Sequence, residues 1–166
     1  MKLRSPFTVL AICVLFLAIA AILVVNWITA PVENLLVNAA RNDDLAKVKK
    51  IAAKGVSLDA QEQGMLGETP LIASTFANGT NVFFFLLSAG AKVDARDREA
   101  KTALMSAVML GDANLPKIKA LIAAGADVNA RDNSGSSVLK FAQWAGAGGA
   151  AVTNTISLLE QHGAKE

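Results

Sequence analysis

A glycine returns every 35 residues in this chain, at Gly55, Gly90 and Gly125, and an alanine returns in step with it at Ala60, Ala95 and Ala130. The segments ending on those alanines, LAKVKKIAAKGVSLDA (45–60), NVFFFLLSAGAKVDA (81–95) and LPKIKALIAAGADVNA (115–130), superpose without gaps. A fourth copy, TNTISLLEQHGA (153–164), carries Gly163 at the matching place. Self-similarity at this period confines the chain to a stacked array, because a unit this small has no interior of its own and buries its apolar face against its neighbours.

One unit can be read from its parts. Ahead of three of the copies lie GETPLIAS (67–74), AKTALMSA (100–107) and GSSVLKFA (135–142). Thr69, Thr102 and Ser137 are suited to cap a first helix, and Pro70 stands just inside it, where a missing N–H costs nothing. A turn and a second helix follow, with apolar residues at helical spacing: Val48, Ile51 and Ala52, then Phe83, Leu86 and Leu87, then Ile118, Leu121 and Ile122. The recurring glycine supplies a left-handed cap to that helix. Extended residues such as 126–130 then lead through the turn Arg131-Asp132-Asn133-Ser134-Gly135 into the next unit.

Gly67-Glu68-Thr69-Pro70-Leu71 and the run from Ala123 to Asp132 resemble the ankyrin-repeat family closely, and the likeness covers about residues 34–164. It implies an all-α ankyrin-repeat solenoid of about four helix-turn-helix units with short hairpin fingers, at 34–62, 67–96, 100–131 and 135–164, the outer two serving as caps. Three departures stand out. The histidine that usually follows Thr-Pro-Leu is replaced by Ile72, Met105 and Lys140, removing the hydrogen bonds it makes between repeats. The turns between helices are lengthened at 111–116 and 146–151. The stretch from Asp59 to Thr69 is two residues longer than that from Asp94 to Thr102, which is expected to push Met65 and Leu66 outward on the first finger.

The resemblance also implies a site. Counting Thr69, Thr102 and Ser137 as the first position, the eighth is Phe76, Met109 and Trp144, with Arg41 in the first unit, and in the family this position faces the concave groove. Phe76, Met109 and Trp144, flanked by Leu110 and approached by Met65 and Leu66, are expected to form a protein-binding stripe, since aromatic and Met residues anchor interfaces. Arg96, Arg98 and Arg131, with Asp97, Glu99 and Asp132 on the same fingers, are expected as its polar rim.

Before the repeats, Phe7 to Ile28 is almost continuously apolar and uncharged, and it helps raise the hydrophobic fraction of the chain to 53%, above the ordinary globular range. As a helix it would reach roughly 33 Å, enough to cross a bilayer. The expected division is a cytoplasmic N-terminus at 1–6, a transmembrane signal-anchor helix at 7–28, a linker at 29–33 and repeats at 34–166. Lys2 and Arg4 form a basic n-region and Ala18-Ile19-Ala20 has the form of a cleavage site, but cleavage there would leave Ala21 to Val25 as an exposed apolar end; an uncleaved anchor is expected. With Lys2 and Arg4 before the run and no Lys or Arg after it until Arg41, the N-terminus is expected in the cytoplasm and the repeats across the inner membrane, in the periplasm of a Gram-negative cell; a eukaryotic lumen is the other placement.

The chemistry sought elsewhere does not assemble. The single cysteine, Cys13, lies in the apolar run, so no disulfide framework or thiol ligand set is available to the repeats. His162 is the one histidine and sits beside the capping Gly163, where a cation complements a helix end. Gly146-Ala147-Gly148-Gly149 lacks the Lys and Ser or Thr of a phosphate loop and reads as a turn. Beyond Lys2 and Arg4 the basic and acidic residues balance, which offers no field for nucleic acid. No catalytic residue, cofactor, metal or small-molecule substrate is therefore expected. The lysines Lys47, Lys49, Lys50 and Lys54 are expected on a solvated face. The function expected is capture of a protein partner outside the cytoplasm, as an accessory or protective factor or as a toxin-immunity protein; the alternative is a small structural subunit or scaffold of an inner-membrane complex acting through its span, where Ala18, Ala20 and Ala21 offer small-residue packing.

Overall fold

The computed structural model describes residues 32–166. The span expected at 7–28, with Cys13 and Trp27, lies outside the described residues, and among the described residues no helix is long and apolar enough to cross a membrane. Among the described residues eight α-helices pair off in chain order: α1 (32–41) with α2 (Leu45–Ala52), α3 (Pro70–Thr75) with α4 (Asn81–Ser88), α5 (Ala103–Val108) with α6 (Leu115–Ala123), and α7 (Val138–Ala147) with α8 (Thr153–Gln161). Helix α1 is already running at residue 32, inside the stretch expected as linker, and Val32 packs on the core there. The odd-numbered helices form one row, α3 on α5 and α5 on α7; the even-numbered helices form the second, α2 on α4 and α6 on α8.

Each first helix starts where its capping side chain stands. The hydroxyls of Thr69, Thr102 and Ser137 accept from the backbone N–H of Ile72, Met105 and Lys140 at 3.3, 3.4 and 3.2 Å. Each second helix ends on the recurring glycine, with φ between +82° and +89° at Gly55, Gly90, Gly125 and Gly163, a region where a Cβ is costly. Between the rows lies one continuous core, in which Phe83, Leu86, Leu104, Met105, Ile118 and Leu121 are inaccessible. Ile72 and Met105, at the place of the family's usual histidine, are both buried in it, so apolar packing replaces a hydrogen-bonded imidazole.

The fingers contain no regular strand among the described residues; their single bridge joins Arg131 to Ser137. They are stitched to one another by side chains that recur with the repeat. Gln61 donates to the Arg96 carbonyl, Arg96 to that of Arg131, and Arg131 to that of Glu166, at 2.5, 2.8 and 2.5 Å. Asp59, Asp94 and Asn129 accept from the backbone N–H of Lys92, Asp127 and Lys165 in the same stepwise fashion.

Neighbouring units are also joined at the opposite ends of their helices, where each even-numbered helix begins. Asp43 accepts from the backbone N–H of Asn81 and Val82 and from the Asn81 amide, capping α4 from the previous unit. A Cβ on Gly79 would come within 1.9 Å of that carboxylate, so the glycine of Asn78-Gly79 is required for the close approach of Asp43 and not for a left-handed turn. Asp112 caps α8 in the same way through Asn154 and Thr155. Desolvation pushes the Asp112 carboxyl up, but the hydrogen bonds from Thr155 and Asn154 outweigh it and hold the group below its ordinary value of 3.8. A depressed carboxyl contributes stability above its unfolded value and loses it as pH falls through the folded one. Asp112→Asn should therefore melt earlier than the parent above pH 3.8, and the gap should close as the solution is acidified below that value; thermal melts across the acid range check this.

Candidate protein-binding surface

Eight large apolar side chains are exposed among the described residues: Leu35, Met65, Leu66, Phe76, Phe84, Met109, Leu110 and Trp144. Six of them are those the repeat register places on the stripe or the first finger. Met65, at 92% exposure, stands almost free on the lengthened finger, and Leu66 beside it accepts at its carbonyl from the Arg98 N–H of the next finger.

The stripe is not uniform along the stack. Phe76 and Met109 are the residues that end α3 and α5, whereas α7 continues through Gly146 and Ala147, so Trp144 lies within a helix. Residues 146–149, expected as a turn, are helical as far as Ala147. Gly146 instead serves close packing: a Cβ there would meet Val152 at 2.8 Å, and a bare backbone lets the helix run on beneath that side chain. The result is two clefts. Phe76 and Leu110 line one of about 320 Å³ between the inter-helix turns of the second and third units, floored by Lys117. Trp144 lines another of about 430 Å³ between α7 and the fingers, with Phe141, Glu99 and Asp132. Met109, Met65 and Leu66 belong to neither.

The finger arginines differ in availability. Arg96 and Arg131 are exposed, yet their guanidinium groups are engaged on backbone carbonyls, Arg96 on Ala100 and Arg131, Arg131 on Gly135 and Glu166. They hold the fingers that would form a rim. Arg98 makes its backbone link to Leu66, and its side-chain stem lies against Gly67, where a Cβ would come within 2.7 Å. Arg41, the first unit's counterpart of Phe76, is tied to Glu68 at 2.6 Å and to Glu62 at 3.7 Å.

Lys117 escaped the sequence reading. It lies eight residues before Gly125, as Val82 lies before Gly90 and Thr155 before Gly163, in the column that the preceding unit caps. Here the polarity is reversed. Pro116 follows the turn, and the Lys117 ammonium, 3% exposed, donates to the carbonyls of Ser74, Thr75 and Ala77 at 2.9, 3.1 and 2.7 Å, closing the end of α3. Burial pushes this ammonium below its ordinary value, and Asp43 opposes the shift. Its repeat register was the available signal.

His162 is exposed and its Nδ1 lies 2.9 Å from the Leu158 carbonyl, a helix-end position. Among the described residues no group of three or more His, Cys, Asp or Glu side chains is placed to hold a metal ion. The four lysines Lys47, Lys49, Lys50 and Lys54 are all exposed on or just after α2.

Paired helices in two rows, capped by recurring glycines and linked by fingers, define a repeat solenoid that presents surface and not an enclosed pocket. The sequence profile of Ankyrin repeats (3 copies) matches residues 36–132 and 73–163. The chain belongs to the ankyrin-repeat family, and its repeats are a non-catalytic interaction fold that makes it a protein–protein interaction module. A search of curated proteins finds no match.

Proposed function

We propose that the chain is tethered to the inner membrane by the apolar run 7–28, with its N-terminus in the cytoplasm, and that its repeats hold one protein partner on the far side as an accessory or immunity factor. The observation that carries the binding half is the set of exposed apolar side chains on successive inner helices: Phe76 and Met109, which end α3 and α5 while the rest of those two helices is buried, and Trp144 within α7. Leaving such groups in water opposes solubility, and aromatic and Met side chains are those that partners bury at the centre of an interface. The tether rests on the length and apolarity of the run and on Lys2 and Arg4 before it.

One experiment with two arms tests it. Full-length tagged chain is used to co-capture partners from its own host, beside Phe76→Ser and Trp144→Ser. Each substitution should reduce capture at least about tenfold, as loss of an interface anchor does, with a melting temperature near the parent's. Capture that survives both changes rejects this surface, and a collapsed melt would mark the side chains as core. In the second arm, a reporter active only after export is fused to the C-terminus: it should be active and stay with carbonate-washed membranes, whereas release in a shortened soluble form rejects the tether.

A further inference from the structure

The cleft beside Trp144 has a chemistry distinct from the rest of the stripe. Its walls are the finger residues Glu99 and Lys101, the next finger's Asp132 and Asn133, and Phe141 and Trp144 of α7. The fingers are fixed to each other, Asn133 donating through its backbone to the Glu99 carbonyl and through its amide to that of Arg98, at 2.9 Å each. Trp144 is 48% exposed, and buried Phe141 meets it edge-on at 5.1 Å, which sets the indole plane while leaving surface open.

Acid outweighs base in this cleft. Among the described residues Lys101 is its one lining cation, and it pairs with Glu99 while lying 5.8 Å over the Phe141 ring. The hydrogen bond that Lys101 donates to Glu99 comes first, with Glu99, Asp97 and Asp132 acting through their charge, in pushing Lys101 above its ordinary value, although desolvation opposes them. The neighbouring Arg131 is turned away to the carbonyls of Gly135 and Glu166. Asp132 spends one oxygen, Oδ1, on Ser134 and Ser136, and among the described residues its Oδ2 takes no hydrogen bond. A half-exposed indole beside unspent carboxylate oxygens is the arrangement that attracts a second cation: an aromatic face supplies quadrupole attraction, best at Trp, and the carboxylates supply charge and acceptors.

We propose that this cleft receives a lysine or arginine side chain from the protein partner, its stem along Phe141 and Trp144 and its cationic head on the indole beside Asp132 and Glu99. The assignment rests on the reading of the chain as a protein-binding module and specifies the chemistry of the partner: a segment with a basic anchor. The volume, about 430 Å³, admits one such side chain with its flanking backbone.

The test uses the full-length chain in detergent micelles with Trp27→Phe, which leaves Trp144 as the sole tryptophan. A displayed library of short random peptides is selected on it. The expected winners share a Lys or Arg at one position, change Trp144 fluorescence on binding, and weaken as salt is raised. They should bind about tenfold more weakly to the double variant Asp132→Asn, Glu99→Gln, which retains an acceptor at Oδ1 for Ser134 and Ser136 and so keeps the finger turn. An acidic or apolar consensus, or a basic one that binds the double variant equally well, overturns the proposal. An apolar consensus lost on Phe76→Ser would do so while leaving the binding module intact. Failure to select any peptide, together with failure of co-capture from the host, would remove both.

Discussion

Replacing Lys117 by alanine is expected to cost the array about 3 kcal/mol, a large part of the 5–15 kcal/mol typical of a domain, and to lower its melting temperature accordingly. The size follows from what the ammonium leaves behind. The Ala77 carbonyl has no other hydrogen bond among the described residues; that of Ser74 keeps a 3.3 Å bond from Ala77, and that of Thr75 keeps one from Asn114 at 3.2 Å. One buried acceptor is thus orphaned and two are weakened, at about 1–3 kcal/mol for the first and less for each of the others. Against this stands the relief of no longer desolvating a charge. A buried ion pair can often be exchanged for apolar groups at no loss, but that argument requires both partners to be replaced, and backbone carbonyls cannot be. The cost should therefore survive in Lys117→Met, which keeps the stem that packs near Phe83, with the ammonium 5.8 Å from that ring, and discards the donors. Denaturant melts of the parent and the two variants decide it: a methionine variant as stable as the parent would show that the ammonium contributes nothing net.

The same residue shows what the sequence could and could not disclose. Caps, capping glycines and core columns were legible because each depends on residue type and spacing within one unit. Thr69, Thr102 and Ser137 cap where expected, and Val48, Ile51, Phe83, Leu86, Ile118 and Leu121 are buried where the helical period puts them. Exposure of the stripe was legible from register combined with the groove-facing position that the family resemblance implies. A lysine on a short helix ordinarily lies in solvent, and the acceptors of Lys117 are backbone groups forty or more residues earlier, which carry no letter in the sequence. Arg96 and Arg131 are expected as rim from their charge on the fingers, and the recurrence of Gln61, Arg96 and Arg131 at the repeat interval also marks a structural stitch. Gly146 misled for a related reason: a glycine beside another glycine suggests a turn, and a packed neighbour such as Val152 enters only with the fold.

Leu121→Ala is expected to be as damaging by a different route. The side chain is inaccessible, in the last turn of α6, and that helix packs on α5 before it and α8 after it, so one truncation opens a void shared by two units. Large-to-small changes at such sites cost about 2–5 kcal/mol, the upper part of the range applying where the surroundings cannot relax inward. Relaxation is restricted here because both flanks of α6 are pinned. Lys117 ties its first turn to the end of α3, and the Ala126 N–H donates to the Leu121 carbonyl itself at 3.0 Å, fixing the exit past Gly125. Ile122, the next residue, is half-buried at the edge of the core, so Ile122→Ala removes a similar number of methyl groups without opening an enclosed void. Its cost should be nearer 1 kcal/mol, roughly the share of burial it has to lose. Because stability in a stacked array resides in the contacts between neighbours, the Leu121 variant should lose it in the last two units first, with amide exchange rising along α6 and α8 before α3 and α4. Denaturant melts of the two alanine variants, combined with amide exchange resolved by helix, test this ordering: equal losses for Leu121→Ala and Ile122→Ala would mean that the core between the third and fourth units is not packed as described.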